Sequence, residues 1–193
     1  MSAYKYILIV LLIGILTAGT AQAQVQIEKR SMLINAQGSF SAYRGDLYGD
    51  PDEYYVINLE LNYQRFFWQG VTLGVDLVYD LESIDNNTNR STVGFGPIGG
   101  IYFGSVESSF ITYFQSSVIF GKIQGGSPDR LNRIPDKSLL RPSFAVGILY
   151  LISDDFAVNG GLKYSLNITD ADGSERLSES RLGFQLGLNL FLF

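Results

Sequence analysis

The sequence predicts an all-β protein, an eight-stranded antiparallel up-and-down transmembrane β-barrel preceded by a cleavable signal peptide. Three observations predict it. In the last thirteen residues, Leu182, Phe184, Leu186, Leu188, Leu190 and Leu192 recur at every second position, with Arg181, Gly183, Gln185, Gly187 and Asn189 between them. A period of two makes a strand with one apolar and one polar face. Seven earlier stretches alternate in the same way, and no segment after the first 23 residues has a helical period. The polar faces hold Asn, Gln, Ser and Gly with few charges, whereas a soluble exterior carries Lys and Glu at high density. The apolar face therefore points out to lipid. A soluble lipocalin-like ligand-binding barrel shares the periodicity but would need those uncharged faces on its outside.

Length and composition set the bounds. A chain of 193 residues suits one domain with a sizeable core. The absence of Cys removes disulfides, thiolate nucleophiles and Cys-based metal sites. The absence of His removes the commonest general base and metal ligand. The formal charge of -5 becomes one unit more negative if a leader carrying Lys5 is removed, which gives no reason to expect nucleic acid as a partner. Gly (21), Tyr (12) and Phe (13) are abundant, as suits tightly turned strands with aromatic bands.

Met1 to Ala23 reads as a secretory signal peptide. Lys5 supplies the positive start, Ile7 to Leu16 the apolar core, and Ala21 and Ala23 the small residues of a cleavage site. The apolar run is shorter than the ~20 residues that span a bilayer as a helix. Two units follow: residues 1–23 as leader and 24–193 as the barrel domain.

The first run places Met32, Ile34, Ala36, Gly38, Phe40 and Ala42 on its apolar face. A Gly/Asp/Pro loop, 44–53, leads to the second, with Tyr55, Ile57, Leu59, Leu61 and Tyr63 outward and Asn58, Glu60, Asn62 and Gln64 inward. An aromatic turn, Phe66 to Gly70, opens the third, where Val71, Leu73, Val75, Leu77, Tyr79 and Leu81 alternate with polar residues including Asp76, Asp80 and Glu82. After an Asn-rich loop, 83–90, the fourth run carries Val93, Phe95, Gly99, Ile101 and Phe103. Pro97 predicts a bulge or local break there, because it lacks a ladder donor.

The fifth run has two similar faces. Phe110, Phe114, Val118 and Phe120 are assigned outward, since the opposite parity exposes Gln115 in mid-strand. A basic loop, 125–138, precedes the sixth run (Phe144, Val146, Ile148, Tyr150, Ile152). The seventh carries Phe156, Val158, Leu162, Tyr164, Leu166 and Ile168, with Lys163 on the other face. An acidic loop, 169–179, leads to the terminal run. Connections thus alternate between long and short. Aromatics gather near the short-turn end (Phe66, Phe67, Trp68, Phe103, Phe110, Tyr150, Phe156), as in an interfacial girdle. A looser band of Phe40, Tyr55, Tyr79 and Phe120 lies toward the long loops.

The leader, eight alternating segments, loop asymmetry and aromatic C-terminus together resemble the small OmpA/OmpX-like outer-membrane barrels. The Gly-rich, Tyr-rich texture is similar to the outer-membrane β-barrel family common in Bacteroidota. The resemblance implies a porin-like monomer in a Gram-negative cell envelope, with both termini periplasmic and the loops 44–53, 83–90, 125–138 and 169–179 extracellular. Its implied partners are outer-membrane lipid, the barrel-assembly machinery during insertion, and an unidentified extracellular loop partner. It also implies Phe193 as a C-terminal assembly signal. One feature departs from the pattern: Phe191 and Phe193 share the parity of Asn189, Gly187 and Gln185. With the leucines outward, both phenylalanines point inward at the rim and the last one frays at the interface, unless a bulge near 189–192 reverses the parity.

The inward face holds the candidate chemistry. Glu60, Asp76 and Lys163 should lie at mid-depth, with Asp80, Glu82 and Arg181 nearer the long loops. Eight strands leave room only for side chains, so these charges should pair or hold water and form a rigid polar plug rather than a pore. Gly94 to Gly99 matches G-x-G-x-x-G, but Ile101 to Phe103 continues a strand where a dinucleotide site needs a helix. Asp170 to Glu175 has its glycine misplaced for an EF-hand loop. Asn86 and Asn167 begin glycosylation sequons that carry no weight in a bacterial chain. No catalytic residue, cofactor or metal site is assigned. The expected role is structural or loop-mediated, with a narrow ion-conducting pore as the alternative.

Overall fold

The structure is a computed structural model and describes residues 31–44, 54–84, 88–104, 109–126, 137–170 and 176–193. Eight strands close one antiparallel barrel: β1 (Met32–Arg44), β2 (Tyr54–Trp68), β3 (Val71–Ile84), β4 (Thr88–Gly104), β5 (Phe110–Gly126), β6 (Lys137–Leu151), β7 (Phe156–Asp170) and β8 (Arg176–Leu192). Each strand pairs with its sequence neighbours, and β8 returns to pair with β1. The leader with Ala21 and Ala23 lies outside the described residues, as do 45–53, 127–136 and 171–175.

The register fixes the barrel's dimensions. Met32 faces Arg65 on β2, and the path continues through Leu73, Gly99, Ser116, Phe144, Tyr164 and Leu182. Leu182 pairs with Ala42, so one circuit returns to β1 ten residues beyond its start. A stagger of that size over eight strands gives a tilt of roughly 40° and a backbone radius of about 8 Å. Such a cylinder is filled by side chains.

Alternation decides which face is which. The outward residues of β2, β3 and β8, including Ile57, Leu59, Leu73, Leu77, Leu186 and Leu188, are exposed, while Asn62, Gln64, Asp76 and Asp80 are buried. The apolar exterior rules out the inverted, lipocalin-like packing. On β5, Phe110, Phe114, Val118 and Phe120 point outward and Ile111, Tyr113 and Ile119 inward, as the position of Gln115 suggested.

Several expectations need correction. The strands run further than their apolar segments: 44, 83–84, 88–90, 125–126, 137–138, 169–170 and 176–179 are all strand, not loop. Ladder hydrogen bonds are backbone bonds, so polar residues continue the sheet past the apolar band. Only three residues, 85–87, separate β3 from β4, so the strict long–short alternation fails there. Phe66 is buried in the lumen rather than in the aromatic girdle, because β2 continues through it to a bulge between Phe66 and Trp68. The local break expected at Pro97 is present on one side: the ladder to β5 lapses there without a register change, while the ladder to β3 is continuous.

The terminal strand keeps its register to Leu192, with no bulge. Phe191 points into the lumen and is 2% exposed, whereas Phe193 is 72% exposed and stacks on it at 6.5 Å. The turn between β2 and β3 is just Gln69 and Gly70. Gly70 has φ +72°, and a Cβ there would lie 2.5 Å from the Tyr102 carbonyl oxygen, so only glycine fits.

Candidate functional site

The lumen is built in three tiers. At the short-turn end, Leu33, Phe66, Tyr102, Ile111, Tyr113, Leu149, Ala157 and Phe191 form an apolar plug drawn from seven of the eight strands. Phe66 and Tyr102 meet at 5.5 Å, and Tyr102 and Tyr113 at 6.1 Å. The sequence placed Phe191 on this inner face but otherwise read the face as polar; large apolar and aromatic side chains instead fill the narrow eight-stranded lumen at this end.

Above the plug lies a chain of neutral side chains. Thr72 donates to Gln64 (2.6 Å), Gln64 to Asn62 (2.9 Å), Asn62 to Asn35 (3.1 Å), Asn35 to Asn189 (2.7 Å) and Asn189 to Asn159 (3.0 Å). A carboxamide both donates and accepts, so it can carry such a chain from strand to strand. The chain ends on Tyr113, whose hydroxyl oxygen accepts from Asn159 (3.2 Å) and Gln185 (2.8 Å). Tyr113 crosses the lumen to get there. It can do so because β6 and β7 present Gly147 and Gly161, where a Cβ would collide with its hydroxyl.

The third tier, toward the long connections, is charged. Lys163 on β7 reaches across to Glu60 on β2, which also accepts from Gln37 at 2.6 Å. Asp80 accepts from Asn58, from Arg141 on β6 and from Arg181 on β8, the last at 3.1 Å. Arg181 also binds Glu82 and Glu179, and Arg90 stands 3.5 Å from Glu82. Asn167 accepts from Arg141 (2.6 Å) and donates to Glu179 (3.4 Å), which joins β6, β7 and β8. The carboxylates and guanidiniums of this tier are almost wholly buried, and Lys163 is partly so. A buried pair is close to neutral against an apolar filling, but losing one member strands the other charge.

All five predicted lumen residues, Glu60, Asp76, Asp80, Lys163 and Arg181, lie inside the barrel. Glu60 meets Lys163 and Asp80 meets Arg181. Asp76 joins neither cluster. Arg141, Arg90 and Glu179 were not singled out in the sequence, because each sat in or beside a segment read as loop. The signal was available at Arg141, since Leu139, Arg141 and Ser143 extend the inward parity of the sixth run. Among the described residues, no group of three or more acidic side chains is arranged to hold a metal ion.

An apolar exterior, a filled lumen and eight closed antiparallel strands define a small transmembrane β-barrel of the outer-membrane type. Comparison with solved structures agrees on the fold. The chain is similar to Neisserial surface protein A (TM-score 0.57, 10% identity, 84% of this chain and 97% of that one). It is also similar to the outer-membrane enzyme PagL (0.55, 10%, 79% and 97%). The N-terminal β-barrel domain of Pseudomonas aeruginosa OprF gives 0.52 at 12% identity over 85% and 98%. No family model and no curated protein sequence matches the chain. At these identities the likeness concerns fold alone, and one of the three neighbours is an enzyme.

Proposed function

We propose that the chain is an integral outer-membrane protein with a structural or loop-mediated interaction role, and that it neither catalyses nor conducts. The observation that carries this reading is the filled lumen: an apolar plug closes the short-turn end beneath a hydrogen-bonded and ion-paired tier. Among the described residues, that leaves no wide aqueous path for a solute through the barrel. The leader, cleaved after Ala23, would route the chain across the inner membrane, and Phe193 would act in recognition by the assembly machinery. Its exposed ring at the end of β8 is available for that contact. Both termini then face the periplasm and the connections 45–53, 85–87, 127–136 and 171–175 face outward. Closure of β8 on β1 leaves no free sheet edge, which supports a monomer.

Planar-bilayer recording of the refolded protein tests the non-conducting part, and discrete conductance steps would establish the narrow pore instead. Mobility on a detergent gel with and without boiling tests the barrel in the membrane. Identical mobility, or release from washed membranes at high pH without detergent, would overturn it.

A further inference from the structure

Among the described residues, one acidic side chain of the lumen is left out of the ion-pair tier. Glu60, Asp80, Glu82 and Glu179 each have a cationic partner among Lys163, Arg141, Arg181 and Arg90. Asp76, on β3, is 0% exposed, and neither of its carboxylate oxygens has a hydrogen-bond partner of normal geometry, although Ser117 faces it from β5. The Ser143 hydroxyl on β6 is likewise buried and without a partner. Both residues line one small cavity of about 10 Å³, whose wall combines the polar Glu60, Lys163, Ser117 and Gln115 with the apolar Ile98 and Ala145.

We propose that this cavity is a built hydration site holding a single internal water that links Asp76 to Ser143 and to the Lys163 ammonium. The volume matches about one water-sized sphere, and a buried water needs two to four polar partners. Here the partners are matched in kind. In its ionised form Asp76 offers acceptors only and takes a hydrogen from the water, while the Ser143 hydroxyl and the Lys163 ammonium donate to its oxygen. One ammonium thereby serves two carboxylates, Glu60 directly and Asp76 through water. A metal cation fits less well, because Lys163 already places a positive charge on the same cavity.

A crystal structure of the full refolded barrel at a resolution that shows ordered water tests this without any substitution. The expected result is one density peak about 2.7–3.0 Å from an Asp76 oxygen and from Ser143 Oγ. An Asp76→Leu variant, solved alongside, should lose the peak, while Asp76→Asn should keep it. A dry cavity in the parent protein, a direct Asp76–Lys163 contact, or a peak at the shorter spacing of a coordinated cation would each overturn the proposal.

Discussion

Arg141 on β6 donates to the carboxylate of Asp80 on β3, across the lumen and three strands away. Arg181 on β8 reaches the same oxygen from the other side. Asp80 is thus the point at which three distant strands are tied together. The Asp80→Ala protein should lose about 3–5 kcal/mol of unfolding free energy, since two guanidiniums are left in a buried site short of an acceptor. Adding Arg141→Met should recover part of that loss, because one of the stranded charges goes with it. Urea unfolding of the refolded barrel in lipid vesicles measures both. Simple additivity of the two substitutions would show that the contact carries no coupling.

The Tyr113 hydroxyl is the common acceptor for Asn159 and Gln185. Tyr113→Phe should destabilise the barrel by about 1–3 kcal/mol, the cost of leaving buried amide donors unpaired. Gly161→Ala should cost more. Its Cβ would lie 2.7 Å from the Tyr113 hydroxyl and 2.5 Å from the Val146 carbonyl oxygen. The carbonyl clash persists when the tyrosine is shortened, so Tyr113→Ala should not rescue Gly161→Ala. The same unfolding assay reads the rescue directly.

The last two phenylalanines should separate under mutation. Phe191→Ala opens a cavity in the plug and should cost about 3–5 kcal/mol. Phe193→Ala removes an exposed ring and should shift folded-state stability by no more than about 0.5 kcal/mol. If Phe193 is the assembly signal, the second substitution lowers the amount of barrel reaching the membrane in cells while its in-vitro unfolding curve stays put. Normal membrane yield from that variant would remove the signal role.

Lipid contact makes a depth-dependent prediction. Leu186 projects outward in the middle of β8, pairing with Gly38 and Gly160, and Leu192 projects outward at its end. Leu186→Arg should cost about 2–4 kcal/mol in a bilayer, and Leu192→Arg about 0–1 kcal/mol. Equal and negligible costs at both positions would mean that this face meets water.

The candidate site was partly legible in the sequence. Glu60, Asp76, Asp80, Lys163 and Arg181 could be placed inward by parity alone, because a strand alternates sides at every residue and the apolar neighbours fixed which side was out. Their partners could not be read so easily. Arg141 stands between a basic segment that ends at Lys137 and Ser138 and the apolar run that begins at Phe144, directly before Pro142, so it was assigned to neither although the backbone is paired there. Phe66 misled for the opposite reason, since an aromatic beside a turn fits an interfacial girdle as well as a plug.

What the sequence by itself determined was the period, the parity and the apolar exterior, all of which depend only on residues two apart along one strand. It also determined that Phe191 shares the parity of Asn189, which the uninterrupted register of β8 preserves. What the tertiary structure alone decided was the stagger between strands and, through it, the height at which each inward side chain meets its opposite number. Asp80 finds Arg141, and Asp76 is left facing a small cavity, because one circuit of the barrel advances ten residues. That offset is the sum of eight pairings between segments distant in sequence, and no single strand contains it.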